Sequence, residues 1–246
     1  MEESVAICMP VLNEKEVIEF VVNEWLEVVN QLPLGSHVYI EDGGSNDGTK
    51  EILVSLQKEH GELIRIVWRD KPEGFGTAAK RLLSTADAKW VFFTDSDGQY
   101  VARDFWLLWN RRENSDFVRG IKLGRQDPFI RRVTSLVWNK SVRFLFELPI
   151  SDVNAAYLLI RQDFLRGLLP TLRILPTMIL SELMIRSVMA NARYGKDVYV
   201  MHRARLSGVS RATPTSSLMR VGYQQLRGLF EIKADYRIRS KANNNF

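Results

Sequence analysis

Four short apolar runs in the first hundred residues each stop at a cluster of acidic, amide or glycine residues. This pattern constrains the fold more than any other feature of the chain. Val5–Val11, Val38–Ile40, Leu63–Trp68 and Trp90–Thr94 are followed by Asn13-Glu14, Glu41–Thr49, Glu73–Gly76 and Asp95–Gln99. Such nearly continuous runs suit strands buried on both faces of a parallel sheet. Between them, Asn13 to about Gln31 carries Val17, Phe20, Val21, Trp25 and Val28 at helical spacing, and Thr49–His60 and Thr77–Ala86 also read as helices. A β-α-β-α-β-α-β order predicts an α/β fold, a mostly parallel sheet with helices on both faces. Ligands of such sheets bind beyond the carboxyl ends of the strands, so all four polar clusters are expected on one rim.

The second half is less regular. Phe105–Arg111 reads as a helix, Phe117–Val118 as a short strand and Ile130–Phe146 as a basic amphipathic helix. Ala155–Ile160 is the next strand candidate, followed by a helix at Ser181–Ala192, a strand at Val198–Met201 and a final helix at Ser216–Ile232. Pro170, Pro176 and Pro214 punctuate this half, and no change of composition marks a boundary. A length of 246 residues suits one sizeable domain, taken as residues 1–240 with a polar tail at 241–246. The single cysteine, Cys8, sits in an apolar run and is expected in the core. The start has no charged segment leading into an apolar one, which predicts a cytoplasmic protein. No uncharged apolar run approaches the ~18 residues a membrane span requires; one of the best candidates is only Ile174–Leu180.

The net charge is +5 and unevenly spread. Between Arg111 and Arg143 the basic residues include Arg119, Lys122, Arg125, Arg131, Arg132 and Lys140, offset by Glu113, Asp116 and Asp127. An anionic partner is implied: a diphosphate, an anionic membrane face or a lipid phosphate. A solvated charged surface would look the same. No nucleic-acid-binding module accompanies the charge, so no nucleic-acid partner is expected.

Asp95 and Asp97 are separated by one residue and follow an apolar strand, which on extended backbone puts both carboxylates on one face. With Gln99 they supply hard oxygen ligands suited to Mg²⁺ or Mn²⁺, with diphosphate oxygens completing the shell. Asp-Ser-Asp-Gly is equally good turn chemistry. Asp42 ends the second strand, placed to accept hydrogen bonds from a base or ribose, and Gly43, Gly44 and Gly48 allow a close approach. Asp47 in that loop is the better candidate for a helix N-cap. Gly74 and Gly76 can likewise line a ligand or simply make a turn.

In order, Pro10-Val11-Leu12-Asn13-Glu14, Asp42-Gly43-Gly44-Ser45-Asn46-Asp47-Gly48-Thr49, Gly74-Phe75-Gly76-Thr77-Ala78 and Asp95-Ser96-Asp97-Gly98-Gln99 resemble the family 2 glycosyltransferases of GT-A (Rossmann-like) fold. Within that family the chain is most similar to the polyprenyl- or dolichyl-phosphate sugar transferases. The resemblance implies a nucleotide-sugar half at about 1–118, an acceptor half at about 119–240, and inverting transfer from a nucleotide diphosphate sugar. It assigns Pro10, Asn13, Glu14, Asp42, Gly74, Gly76, Asp95, Ser96 and Arg205 to the nucleotide sugar, and Asp95, Asp97 and Gln99 to the metal. Lys122, Arg125, Arg131 and Ser135 resemble the positions that hold the acceptor's phosphate. Asp152 and Glu182 stand at its acidic acceptor-side motifs, and His202-Arg203…Arg205…Gly208-Val209-Ser210 at its late loop over the diphosphate. Gly43 departs from the family, where a second Asp is common.

A polyprenyl phosphate is the expected acceptor, reached by peripheral docking around Ile130–Phe146 or through a membrane partner subunit. Its phosphate is already anionic; a sugar hydroxyl acceptor would instead need a base, for which Asp152 and Glu182 are the candidates, and these two with the metal-binding Asp97 are the expected catalytic residues. Asp152 and Glu182 are also natural helix-start or ion-pair residues. Other readings are a transferase to saccharide hydroxyls in glycan synthesis, a non-catalytic nucleotide-sugar-binding subunit, and a sugar nucleotidyltransferase, which should show a glycine-rich phosphate loop where Val11-Leu12-Asn13-Glu14 stands.

Overall fold

A computed structural model describes residues 3–124, 129–148, 152–206 and 218–243, with the side chains of 129–131, 218–221 and 237–243 excluded. Seven strands form one sheet: β1 (Val5–Val11), β2 (His37–Asp42), β3 (Ile64–Trp68), β4 (Trp90–Thr94), β5 (Phe117–Leu123), β6 (Tyr157–Arg161) and β7 (Val198–Met201). Their spatial order is β3-β2-β1-β4-β6-β5-β7. β1, β2, β3 and β4 are mutually parallel, as expected of their apolar runs, and β5 is parallel to β7. β6 enters between β4 and β5 antiparallel to both, which the sequence pattern does not announce.

The helices are α1 (Ile18–Val29), α2 (Thr49–His60), α3 (Phe75–Thr85), α4 (Phe105–Trp109), α5 (Phe129–Phe146), α6 (Gln162–Leu168), α7 (Ile179–Met189) and α8 (Leu218–Asn243). The final helix extends well beyond its expected end at Ile232, and α1 starts four residues later than Glu14. The core lies between the sheet and α1, α3 and α7, with Cys8 buried inside it as expected. Burial pushes the Cys8 thiol far above its ordinary range, which makes it inert. Trp25 of α1 meets Phe92 of β4 at 5.1 Å and Tyr157 of β6 at 6.1 Å, an aromatic seam that joins the parallel and antiparallel parts of the sheet.

Pro10 shows how the sheet accommodates a residue with no N–H. Val11 turns its carbonyl toward β2, accepting from Gly43 N–H at 2.8 Å, so Pro10 faces the β4 side. There the β1–β4 ladder has already ended at Cys8 opposite Phe93, and no bond is lost. The N-cap of α2 is Gly48, at φ +105°, and not Asp47 as expected; Asp47, one residue outside, braces the turn into the helix, its Oδ1 accepting from Thr49 N–H at 3.0 Å and Thr49 Oγ1 at 2.6 Å. Those hydrogen bonds lower its pKa, against a desolvation that acts the other way.

Candidate active site

The carboxyl ends of β1 to β4 open into one cleft of about 450 Å³, a size that suits a small ligand. β1 contributes Pro10, Val11, Leu12 and Glu14, β2 contributes Glu41 and Gly43, and the loop after β3 contributes Arg69, Lys71 and Pro72 to Phe75. β4 leads into Asp95, Ser96, Asp97 and Gln99; Lys122 reaches in from β5, and Arg205 from the segment after β7. That last segment lies along the acidic loop through pairing of Tyr100 with His202. Arg203 clamps it, donating from Nε to Gly98 O at 2.7 Å and from its backbone N–H to Gln99 O at 2.9 Å, while its Nη2 donates to Glu24.

Three carboxylates meet at the cleft's centre. Asp95 is pushed up to about 7, first by burial and then by the charge of Asp97, with Glu14 adding to it; Lys122 and Arg205 offset part of this. Arg205 is fixed between two of the acids, 2.7 Å from Glu14 Oε1 and 3.5 Å from Asp97 Oδ2. Gln99 N–H donates to Asp97 Oδ1 at 3.1 Å, and its side-chain amide N–H to Arg203 O at 3.4 Å, which leaves its amide oxygen for a ligand. Among the described residues no group of three or more His, Cys, Asp and Glu side chains is arranged to hold a metal ion. A divalent ion would therefore take Asp95, Asp97, the Gln99 amide oxygen and oxygens of its own ligand. The surplus of negative charge at Asp95 fits such a cation.

Of the residues read from sequence as nucleotide contacts, Pro10, Glu14, Gly74, Asp95, Ser96 and Arg205 line the cleft. Three do not. Asn13, held at φ +48°, accepts from Asn46 N–H and donates its own N–H to Ser45 Oγ, both at 2.8 Å. Asp42 is 1% exposed, and its carboxylate receives both the N–H and the hydroxyl of Ser45, at 3.1 and 2.5 Å. Both residues brace the loop after β2. Gly76 packs α3 against the chain at Pro176: a Cβ there would sit 1.6 Å from Pro176 O.

The residue that sequence reasoning missed is Glu41, one position before Asp42. It is 2% exposed, lines the cleft, and pairs through Oε1 with Arg81 at 2.9 Å and with Arg69 at 3.7 Å. Its Oε2 is buried and has no hydrogen-bond partner among the described residues. Burial raises its pKa, and Arg81 and Arg69 oppose the rise. Glu41 and Asp42 are adjacent acids that point to opposite faces of β2, and nothing in the sequence says which of the two meets the cleft.

Of the residues expected to hold an acceptor, Lys122 stands 5.3 Å from the centre of the Tyr100 ring and within electrostatic reach of Asp95. Ser135 is half-buried on α5. Arg125 lies outside the described residues, as do the side chain of Arg131 and the stretch Gly208-Val209-Ser210. Arg119, part of the basic run, is unavailable to a ligand: it is 2% exposed, forks onto Asp197 at 2.7 and 2.8 Å, and donates to Asp152 O at 2.7 Å. Asp152 is half-buried, near enough to Tyr100 to raise that hydroxyl's pKa further.

Glu182 is a correction. It is fully buried in the first turn of α7, and its carboxylate receives the N–H groups of Arg173, Ile174 and Leu175 at 3.2, 2.9 and 2.7 Å and Arg186 Nε at 3.0 Å. Four donors occupy a carboxylate that is fully buried and does not line the cleft. Its place is structural, tying the loop before α7 to Arg186 and, through Arg186 and Asp235, to α8.

The architecture is an α/β sheet with an acidic, cation-rimmed cleft at the carboxyl edge of its parallel strands. Residues 6–167 match the profile described as glycosyl transferase family 2, and the chain belongs to that family. It is a glycosyltransferase domain. Two curated relatives are undecaprenyl-phosphate 4-deoxy-4-formamido-L-arabinose transferases. That of Aeromonas hydrophila subsp. hydrophila is 24% identical over 166 residues, 67% of this chain and 51% of its own. That of Serratia proteamaculans is 21% identical over 168 residues, 68% of this chain and 52% of its own. The chain thus spans about half the length of these relatives. The fold is shared with glucosyl-3-phosphoglycerate synthase of Mycobacterium tuberculosis. Its complex with Mn²⁺, UDP and glucosyl-3-phosphoglycerate superposes with a TM-score of 0.69 at 20% identity, covering 94% of this chain and 80% of that one. Its complex with Mn²⁺, UDP-glucose and phosphoglyceric acid gives 0.67, at 20% identity and 93% and 80% coverage.

Proposed function

We propose that this domain transfers a sugar from a nucleoside diphosphate donor to a polyprenyl phosphate in a single displacement that inverts the anomeric carbon. The observation that carries the reading is the meeting of Asp95, Asp97 and Glu14 with Lys122 and Arg205 in one cleft: acids for a cation, and cations for a diphosphate and an acceptor phosphate. The curated relatives' names supply the acceptor class. Mg²⁺ or Mn²⁺ bound by Asp95, Asp97 and Gln99 would neutralise the leaving diphosphate.

The chain's own groups account for the rest. Glu41 offers its unpartnered Oε2 to an N–H of the base, and Arg69 beside it offers a donor to a neighbouring carbonyl. Asp42, to which the sequence reading gave that role, holds the loop instead. Arg205, kept in place by Glu14, stabilises charge on the departing phosphate. Lys122 draws the acceptor's phosphate to the sugar as a point charge. A phosphate oxygen is already anionic, so no carboxylate is required as base. Asp152 would become the base only for a hydroxyl acceptor.

The test is a panel of nucleotide sugars with Mn²⁺ or Mg²⁺, with and without polyprenyl phosphate, comparing the wild type with Asp97→Ala. Polyprenyl-phosphate-dependent release of nucleoside diphosphate, abolished in Asp97→Ala, is expected. Undiminished transfer by that variant would sink the metal assignment, and transfer only to sugars would sink the acceptor.

A further inference from the structure

Two surface helices carry apolar stripes that stay exposed among the described residues. On α5, exposed Val133, Leu136, Val137 and Phe144 fall at i, i+3, i+4 and i+11, with the exposed cation Lys140 among them at i+7. At about 100° per residue they share an arc about 100° wide. Trp138 and Val142, on the opposite side, are buried. α8 repeats the spacing with exposed Tyr223, Leu226, Phe230 and Ala234, with Arg227 among them, opposite buried Leu229 and Ile232. The two helices pack against each other, and Phe144 is 85% exposed. Each helix therefore has its core face filled and a second apolar face turned outward, the mark of an interaction surface.

Charge identifies the occupant. Phe129–Phe146 contains no Asp or Glu, while Arg132, Lys140 and Arg143 are exposed on it. On α8, exposed Arg227 is paired with Glu231 at 2.9 Å. A second copy seated on α5 would set these cations against their own kind, whereas an anionic surface would receive them. No helix among the described residues is long and apolar enough to cross a membrane. The face also joins the acceptor half of the site: Asn139 of α5 accepts the N–H of Val153, the neighbour of Asp152, at 3.1 Å.

We propose that the α5–α8 face docks on an anionic lipid bilayer. The two stripes lie at the boundary of headgroups and acyl chains, and Arg132, Lys140 and Arg143 sit among lipid phosphates. The choice of a bilayer over an acidic protein rests on the acceptor proposed above.

The test is flotation of the full chain, without donor or acceptor, on vesicles of phosphatidylcholine alone or of roughly equal parts phosphatidylcholine and phosphatidylglycerol. The wild type is expected to float with the anionic vesicles and to be released by salt. Leu136→Glu with Phe230→Glu should lower the bound fraction about tenfold or more, and Lys140→Glu with Arg143→Glu should do the same. Circular dichroism and the thermal midpoint check that both variants remain folded, which their exposed positions favour. A wild type that stays unbound, binding that neither variant weakens, or a dimer that the stripe substitutions split would each overturn the proposal. A water-soluble, short-chain polyprenyl phosphate separates the two readings. Transfer to it that survives the stripe substitutions supports docking as their only loss; a wild type inert toward it refutes the acceptor, not the surface.

Discussion

Glu182→Gln separates a structural from a catalytic carboxylate. Oε1 receives Arg173 N–H and Arg186 Nε, and Oε2 receives Ile174 and Leu175 N–H. Whichever oxygen becomes the amide NH₂, two N–H donors then face a donor in a site with no access to water. Each buried N–H left unpaired costs about 1–3 kcal/mol, and loss of the partner of a buried charge costs about 3–5 kcal/mol in total. A loss of about 3–5 kcal/mol in a chain of this size lowers the thermal midpoint by roughly 6–20 °C. Asp235 still pairs with Arg186, so the variant should fold, at a lower midpoint. Differential scanning calorimetry measures the shift, and transfer assayed well below the new midpoint should retain most of its activity. An unshifted midpoint together with lost transfer would refute the structural assignment and return Glu182 to the chemistry.

Four further outcomes follow from the same geometry. Glu41→Gln removes the charge behind one base contact and should raise the donor KM about tenfold or more while leaving the acceptor KM unchanged; steady-state kinetics on both substrates decides it. Gly76→Ala drives a Cβ into Pro176 O, 1.6 Å away, so its urea midpoint should fall by the equivalent of about 1–3 kcal/mol or more. Asp95 titrates at about 7 in the fold against 3.8 when unperturbed. The folded state then binds the extra proton between those values, so metal-free protein should lose stability as pH rises from about 4 to about 7. Melts in chelator across that range check this, and Asp95→Asn should flatten the trend. Arg119→Met strips the partner from Asp197 and from Asp152 O; a thermal midpoint lowered by more than ~5 °C is expected, and an unchanged midpoint would show that the buried guanidinium braces nothing.

The sequence alone determined the parallel half of the sheet and the rim on which the site lies. Strands buried on both faces need apolar side chains in both directions, so β1 to β4 stand out as runs, and the chain must turn polar where each emerges. The cluster Asp95-Ser96-Asp97-Gly98-Gln99 was legible for that reason; the cap of α2 was not, because a left-handed Gly48 takes the place expected of Asp47. The same burial hid what lies within the runs. Alternating side chains point to opposite faces, and in Tyr39-Ile40-Glu41-Asp42 no change of polarity says which face meets the cleft. Only the packed sheet decided that Glu41 lines it and that Asp42 holds the loop. Strand order was equally invisible, because nothing local places β6 antiparallel between β4 and β5. Glu182 and Arg119 read as functional charges until tertiary packing surrounded them with partners. On α5 two apolar faces were written into one helix, and the rest of the fold chose which one to bury.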